Sequence, residues 1–116
     1  MSYPTRQSRL RTKMRNRRYR HAYVEAHSRQ FLAAQIRELR RELSQREFSK
    51  LVGKPQAVIS RLECPSYRSM TLKTLFEIAA KLDIAVFVRF VDFKRFVALT
   101  NEINDATLTP KSGRLP

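Results

Sequence analysis

The sequence predicts a mainly α-helical fold, a bundle of four to five helices followed by a C-terminal β-strand. Two stretches carry apolar residues at helical spacing: Leu32, Ile36, Leu39 and Leu43, and later Leu72, Leu75, Ile78, Ala79 and Leu82. Between them lie two short helical segments punctuated by Gly53 and Pro55. After Asp83 the apolar period falls to two residues. Ile84, Val86, Val88 and Phe90 then share one face, with Ala85, Phe87, Arg89 and Val91 on the other, the pattern of a strand apolar on both sides.

In chain order, residues 1–18 are polar and basic without hydrophobic periodicity and read as a flexible arm. Residues 19–91 form the domain, and 92–116 a short helix over 93–103 followed by a disordered tail from Asp105. The first long helix begins near residue 20, where Ala22, Tyr23, Ala26 and Ser28 permit it, and Arg37, Glu38, Arg40, Arg41 and Glu42 fill its outer face. Ser44-Gln45-Arg46-Glu47 has the spacing of a capping box, in which hydroxyl and carboxylate satisfy orphan amides at a helix start. Phe48, Leu51 and Val52 supply that helix with apolar residues, and Gly53 ends it by providing a positive φ. Pro55 suits the first position of the next helix, which buries Ile59 and Leu62 and stops before Pro65. Thr71 caps the helix after that, and Asp83 stands where the chain must leave it, a place that tolerates the left-handed conformation.

Composition narrows the function classes. The 116 residues make one domain with tails, and 24 Lys and Arg against 10 Asp and Glu give a net charge of +14, which draws a protein to polyanions. Eight of those cations lie within residues 1–20, without one acidic residue. Arms of this kind often bind nucleic acid. The single cysteine, Cys64, excludes an intrachain disulfide and fits a reducing cytoplasm. The most apolar run, residues 84–91, is far too short to span a membrane, and no signal-peptide stretch is visible. His21 and His27 lack partners at metal-ligand spacing, and two glycines cannot build a phosphate-cradling loop. The expectation is a protein that is not an enzyme and needs no cofactor or metal.

Two short helices, 44–52 and 55–63, joined through Gly53 have the spacing of a DNA-reading helix-turn-helix, whose second helix enters the major groove. Inward Phe48, Val52, Ile59 and Leu62 and a basic outer face agree with it. Residues from about 31 to 83 resemble the Cro/cI-type helix-turn-helix family, often called the XRE family, with a lambda-repressor-like bundle. The resemblance rests on Ser44-Gln45-Arg46-Glu47-Phe48-Ser49-Lys50-Leu51-Val52-Gly53, similar to the family's second helix and turn. It rests equally on Gln56-Ala57-Val58-Ile59-Ser60-Arg61-Leu62-Glu63, similar to its recognition helix and the acidic residue that closes it. Residues 19–27 and 86–93 extend the similarity to a subgroup of small bacterial XRE regulators.

The resemblance implies roles position by position. Gln56 would pair with adenine N6 and N7, Ala57 would touch a thymine methyl, and Ser60 and Arg61 would complete the base-reading face. Gln45 would bind a phosphate and brace Gln56. Arg46, Lys54, Arg68 and Lys73 would grip further phosphates. Pro55 departs from the Ser or Thr usual in the family, whose hydroxyl would bind a phosphate, and Lys54 is expected to take over that role. Useful specificity normally needs two copies on a two-fold operator. The strand residues Ile84, Val86, Phe87, Val88 and Phe90 are the candidate dimer element, pairing with a symmetry mate or packing under the first long helix. The expected protein is a cytoplasmic, nucleoid-associated dimeric repressor from a bacterium, phage or plasmid. An antitoxin of the HigA type that also binds a toxin protein, and a nonspecific RNA-binding or architectural protein using the basic arm, are the alternatives.

Overall fold

The computed structural model describes residue 3 and residues 5–101, and within them the chain is helical. Helix α1 spans Arg6–Met14, α2 Arg17–Arg40, α3 Gln45–Val52, α4 Gln56–Leu62, α5 Leu72–Leu82 and α6 Phe93–Asn101. The 24 residues of α2 form the spine, on which α3, α4 and α5 gather toward the C-terminal end and α1 and α6 toward the N-terminal end. No described helix is long and apolar enough to cross a membrane.

Local signals set most boundaries. Asn16 Oδ1 accepts from the Tyr19 amide at 2.9 Å and starts α2 afresh after α1. Ser44 and Glu47 form the full capping box: the Glu47 amide donates to Ser44 Oγ at 3.0 Å, and the Ser44 amide to Glu47 Oε1 at 3.1 Å. These same bonds hold the Glu47 carboxyl below its ordinary pKa, the Ser44 backbone contact being the larger cause. Gly53 ends α3 at φ 67°, and the Lys54 amide reaches back to the Ser49 carbonyl at 3.0 Å. Asp83 does the same for α5 at φ 55°, with the Ile84 amide donating to the Ala79 carbonyl at 3.0 Å. Pro55 is the N-cap of α4, at ψ 145°, and not its first helical residue; α4 has no side-chain cap.

Phe48, Val52, Ile59, Leu62, Ile78 and Ile36 make the core, with Leu39, Leu43, Val58, Tyr67, Met70, Leu75 and Leu82 packed around it. Leu51, expected inside, is 51% exposed, as is Leu72. Each helix is short enough to bury one narrow stripe. Phe48 and Val52 define it in α3, Ile78 and Ala79 in α5, and Leu51 and Leu72 fall off its edge.

Three expectations meet a different structure. The predicted C-terminal β-strand is absent: residues 84–92 are irregular, and the described residues contain no strand. A strand exists only through a ladder, and alternating apolar residues without an intrachain partner cannot form one. This segment instead runs beside α2 and α5 around a groove of about 540 Å³, with Ile84 and Val86 half-buried. Six helices lie among the described residues where four to five were expected. The extra one, α1, lies in the residues read as an arm: Thr5 Oγ1 caps it by accepting from the Ser8 amide at 3.1 Å, and Leu10 and Met14 face α6. The final helix matches the expectation over Phe93–Asn101, and the predicted tail from Asp105 lies outside the described residues.

Candidate DNA-reading surface

The short helix α4 is held from behind and open in front. Ile59 and Leu62 are wholly buried where α4 packs on α3 and α2, which fixes the helix's roll. At 100° per residue the remaining positions sort themselves, and Gln56, Ala57, Ser60 and Arg61 share the opposite face. All four are exposed. None of their side chains forms a described hydrogen bond or ion pair within the chain, so their polar groups are available to a partner.

The sequence reading missed what anchors the end of this helix. Glu63, the C-cap of α4, is buried, its side chain only 6% exposed, at a helix end where a negative charge meets the dipole's negative pole. Arg40 of α2 answers it with a two-pronged contact: Nε donates to Oε2 at 2.9 Å and Nη2 to Oε1 at 2.7 Å. Arg40 also donates from Nη1 to the Leu43 carbonyl at 2.9 Å, and Arg37 Nη1 donates to the Glu63 carbonyl at 3.0 Å. The Glu63 contact pushes the Arg40 pKa further up, against a smaller opposing effect of burial. One carboxylate thus binds α4 to the spine. The available signal was Glu63 itself, a lone acid closing a helix in a basic chain.

The expected phosphate contacts divide. Gln45 is half-buried in the first turn of α3, and Arg46 beside it is exposed. Arg68 is exposed in the loop before α5, and Lys73 is largely exposed in the first turn of α5, its Nζ 4.0 Å from Glu77 Oε1. Lys54 behaves differently: its ammonium donates to Glu77 Oε2 across the turn, leaving the side chain 20% exposed. That contact is the main reason the Glu77 carboxyl sits below its ordinary pKa, with the charges of Lys54 and Lys73 adding to it. Lys54 thus clamps the turn to α5. The candidate dimer residues Phe87, Val88 and Phe90 lie apart from this surface and are exposed, Phe90 fully.

Two helices crossing at a glycine turn, the second presenting a polar face over an apolar back, define a helix-turn-helix DNA-binding domain. Residues 34–87 match the family model described as Helix-turn-helix. That segment is similar to helix-turn-helix units of the Cro/cI or XRE type, which bind DNA in transcription regulators. No curated protein and no solved structure matches the chain.

Proposed function

We propose that the protein is a sequence-specific double-stranded DNA-binding repressor that acts as a dimer. The exposed face of α4 carries this reading: Gln56, Ala57, Ser60 and Arg61 stand together over a rigidly seated helix. Gln56 offers an amide that can bind adenine N6 and N7 together, Ala57 a methyl for thymine, and Arg61 a fork for guanine O6 and N7. Arg46, Arg68 and Lys73, all exposed, supply phosphate contacts, with Gln45 bracing the start of α3. Lys54 joins them by exchanging Glu77 for a phosphate. The second copy binds through the apolar segment 84–90, where Phe87, Val88 and Phe90 present a surface that a lone chain leaves in water.

Enrichment of binding sites from a pool of randomised duplexes, followed by fluorescence-anisotropy titration, tests the reading. The expected result is an enriched two-fold sequence bound roughly a thousand-fold or more tighter than a scrambled duplex. Gln56→Ala should then erode the preference by about 1–3 kcal/mol at one position of each half-site. Phe87→Ser with Phe90→Ser should yield monomers in sedimentation velocity and weaken operator binding. Equal affinity for enriched and scrambled duplexes overturns the proposal.

A further inference from the structure

The end of the molecule opposite the helix-turn-helix carries a concentration of charge that the base-reading surface does not use. Residues 5–20 hold eight basic side chains and no acidic one. Over residues 34–87 the balance is ten against six, and three of the acids are paired: Glu38 with Arg41, Glu63 with Arg40, and Glu77 with Lys54 and Lys73. At the N-terminal end, none of the eight cations meets a carboxylate among the described residues. Arg6, Arg9 and Lys13 recur at helical spacing along α1, on a stripe beside the one that turns Leu10 and Met14 to α6. Arg17 and Arg18 follow, exposed, in the first turn of α2. Like charges at this density repel one another, and a polyanion relieves the repulsion.

The fold sets where such a polyanion would lie. Helix α2 runs without interruption from this basic corner to the Arg40–Glu63 clamp behind α4. At a rise of about 1.5 Å per residue, Tyr19 and Arg40 stand roughly 32 Å apart along it. One turn of duplex DNA is about 34–36 Å. A surface rigidly joined to a DNA-reading helix meets the same duplex at high effective concentration. An anionic membrane is a poorer match, because Leu10 and Met14, the two large apolar residues of α1, are half-buried along the groove it shares with α6 rather than set on an open face. Single-stranded RNA is bound on rows of exposed aromatic rings, whereas here Tyr23 is stacked on His27 and Tyr19, 37% exposed, lies tilted against Tyr23 with the Lys13 ammonium over its ring.

We propose that the corner formed by α1 and the first turn of α2 is a second DNA-contacting surface. It grips phosphates of the duplex flanking the site read by α4, about one helical turn away. The proposal rests on the DNA-reading assignment of α4, and the experiment separates the two. The probes are an enriched duplex trimmed to the shortest length that keeps its preference, the same duplex lengthened by one turn on each side, and scrambled versions of both. The full chain is compared with Arg6→Gln, Arg9→Gln, Arg17→Gln, Arg18→Gln combined; all four side chains are exposed, and glutamine retains helix propensity. Circular dichroism and thermal melting establish that the variant is folded.

On the long duplex the wild type should bind at least tenfold tighter than on the short one at low salt. Its salt dependence there should be steeper than the variant's by about 2–4 units of slope, near 0.9 for each phosphate that the variant no longer neutralises. The variant should lose the length advantage, match the wild type on the short duplex, and keep its preference for enriched over scrambled sequence. Equal salt slopes and equal length dependence in the two proteins overturn the second surface, even with sequence preference intact. Loss of preference in both proteins strikes the α4 reading alone, since slope and length dependence can still be read on scrambled duplexes.

Discussion

At the C-terminal half of α2, helices meet on side chains that water does not reach: Phe48, Ile59, Leu62 and Ile78. At its N-terminal half, neither α1 nor α6 contributes one buried residue. Contact there is made by rings and cations at half-exposed or exposed positions. Phe93 lies edge-on to His21 at 5.2 Å, Tyr23 lies edge-on to Phe96 at 6.5 Å, and the Arg20 guanidinium sits 5.2 Å over Phe93. The difference is the one that the roles proposed for the two ends call for. Base edges are read by a few side chains whose placement must be accurate, so α4 is locked by a core and a buried ion pair. Phosphates accept charge over a broad surface, and a loosely packed corner serves.

On that contrast, the largest effects come from the reading end. Phe48→Ala should cost about 3–5 kcal/mol in chemical denaturation, because a fully buried ring leaves a cavity among rigid neighbours. Glu63→Ala should cost about 2–4 kcal/mol, since it strands the partly buried Arg40 and frees the end of α4. DNA preference should fall with it. Ser44→Ala should cost about 1 kcal/mol by removing the N-cap of α3. At the other end, Phe93→Ala should lower global stability by only about 1 kcal/mol. Amide hydrogen exchange should locate its effect in α6, whose amides, like those of α1, should already open more readily than those of α3 and α5.

The smallest predicted effect is a titration. Glu47 and Glu77 both have depressed folded-state pKa values, so the stability they lend is present above the ordinary carboxylate range and fades as pH falls through the folded values. Melting temperature should therefore decline below about pH 4.5. Glu47→Gln, which keeps an acceptor for the Ser44 amide, should remove part of that decline. A melting curve unchanged by Glu47→Gln across this range would mean the capping box contributes geometry alone.

What could be read from the sequence was local. Ser44, Gly53, Thr71 and Asp83 announced helix ends because each acts on amides or carbonyls within a few residues of itself. The face of α4 was legible for the same reason, its period being set by one turn of helix. The Arg40–Glu63 and Lys54–Glu77 pairs were not, since in each the partners are 23 residues apart and meet only after the bundle closes. Helix α1 was hidden because Leu10 and Met14 are too few to make a period amid so many arginines. The segment 84–91 had the alternation of a strand, but alternation specifies no partner.

The independent capping of α2 has a consequence for dissecting the protein. Because Asn16 starts that helix with its own side chain, the N-cap of α2 does not depend on α1. A chain cut at Arg15 keeps the cap and every side chain of the core. The basic corner can thus be shortened or exchanged for another charged segment as a cassette, while the reading head stays as it is.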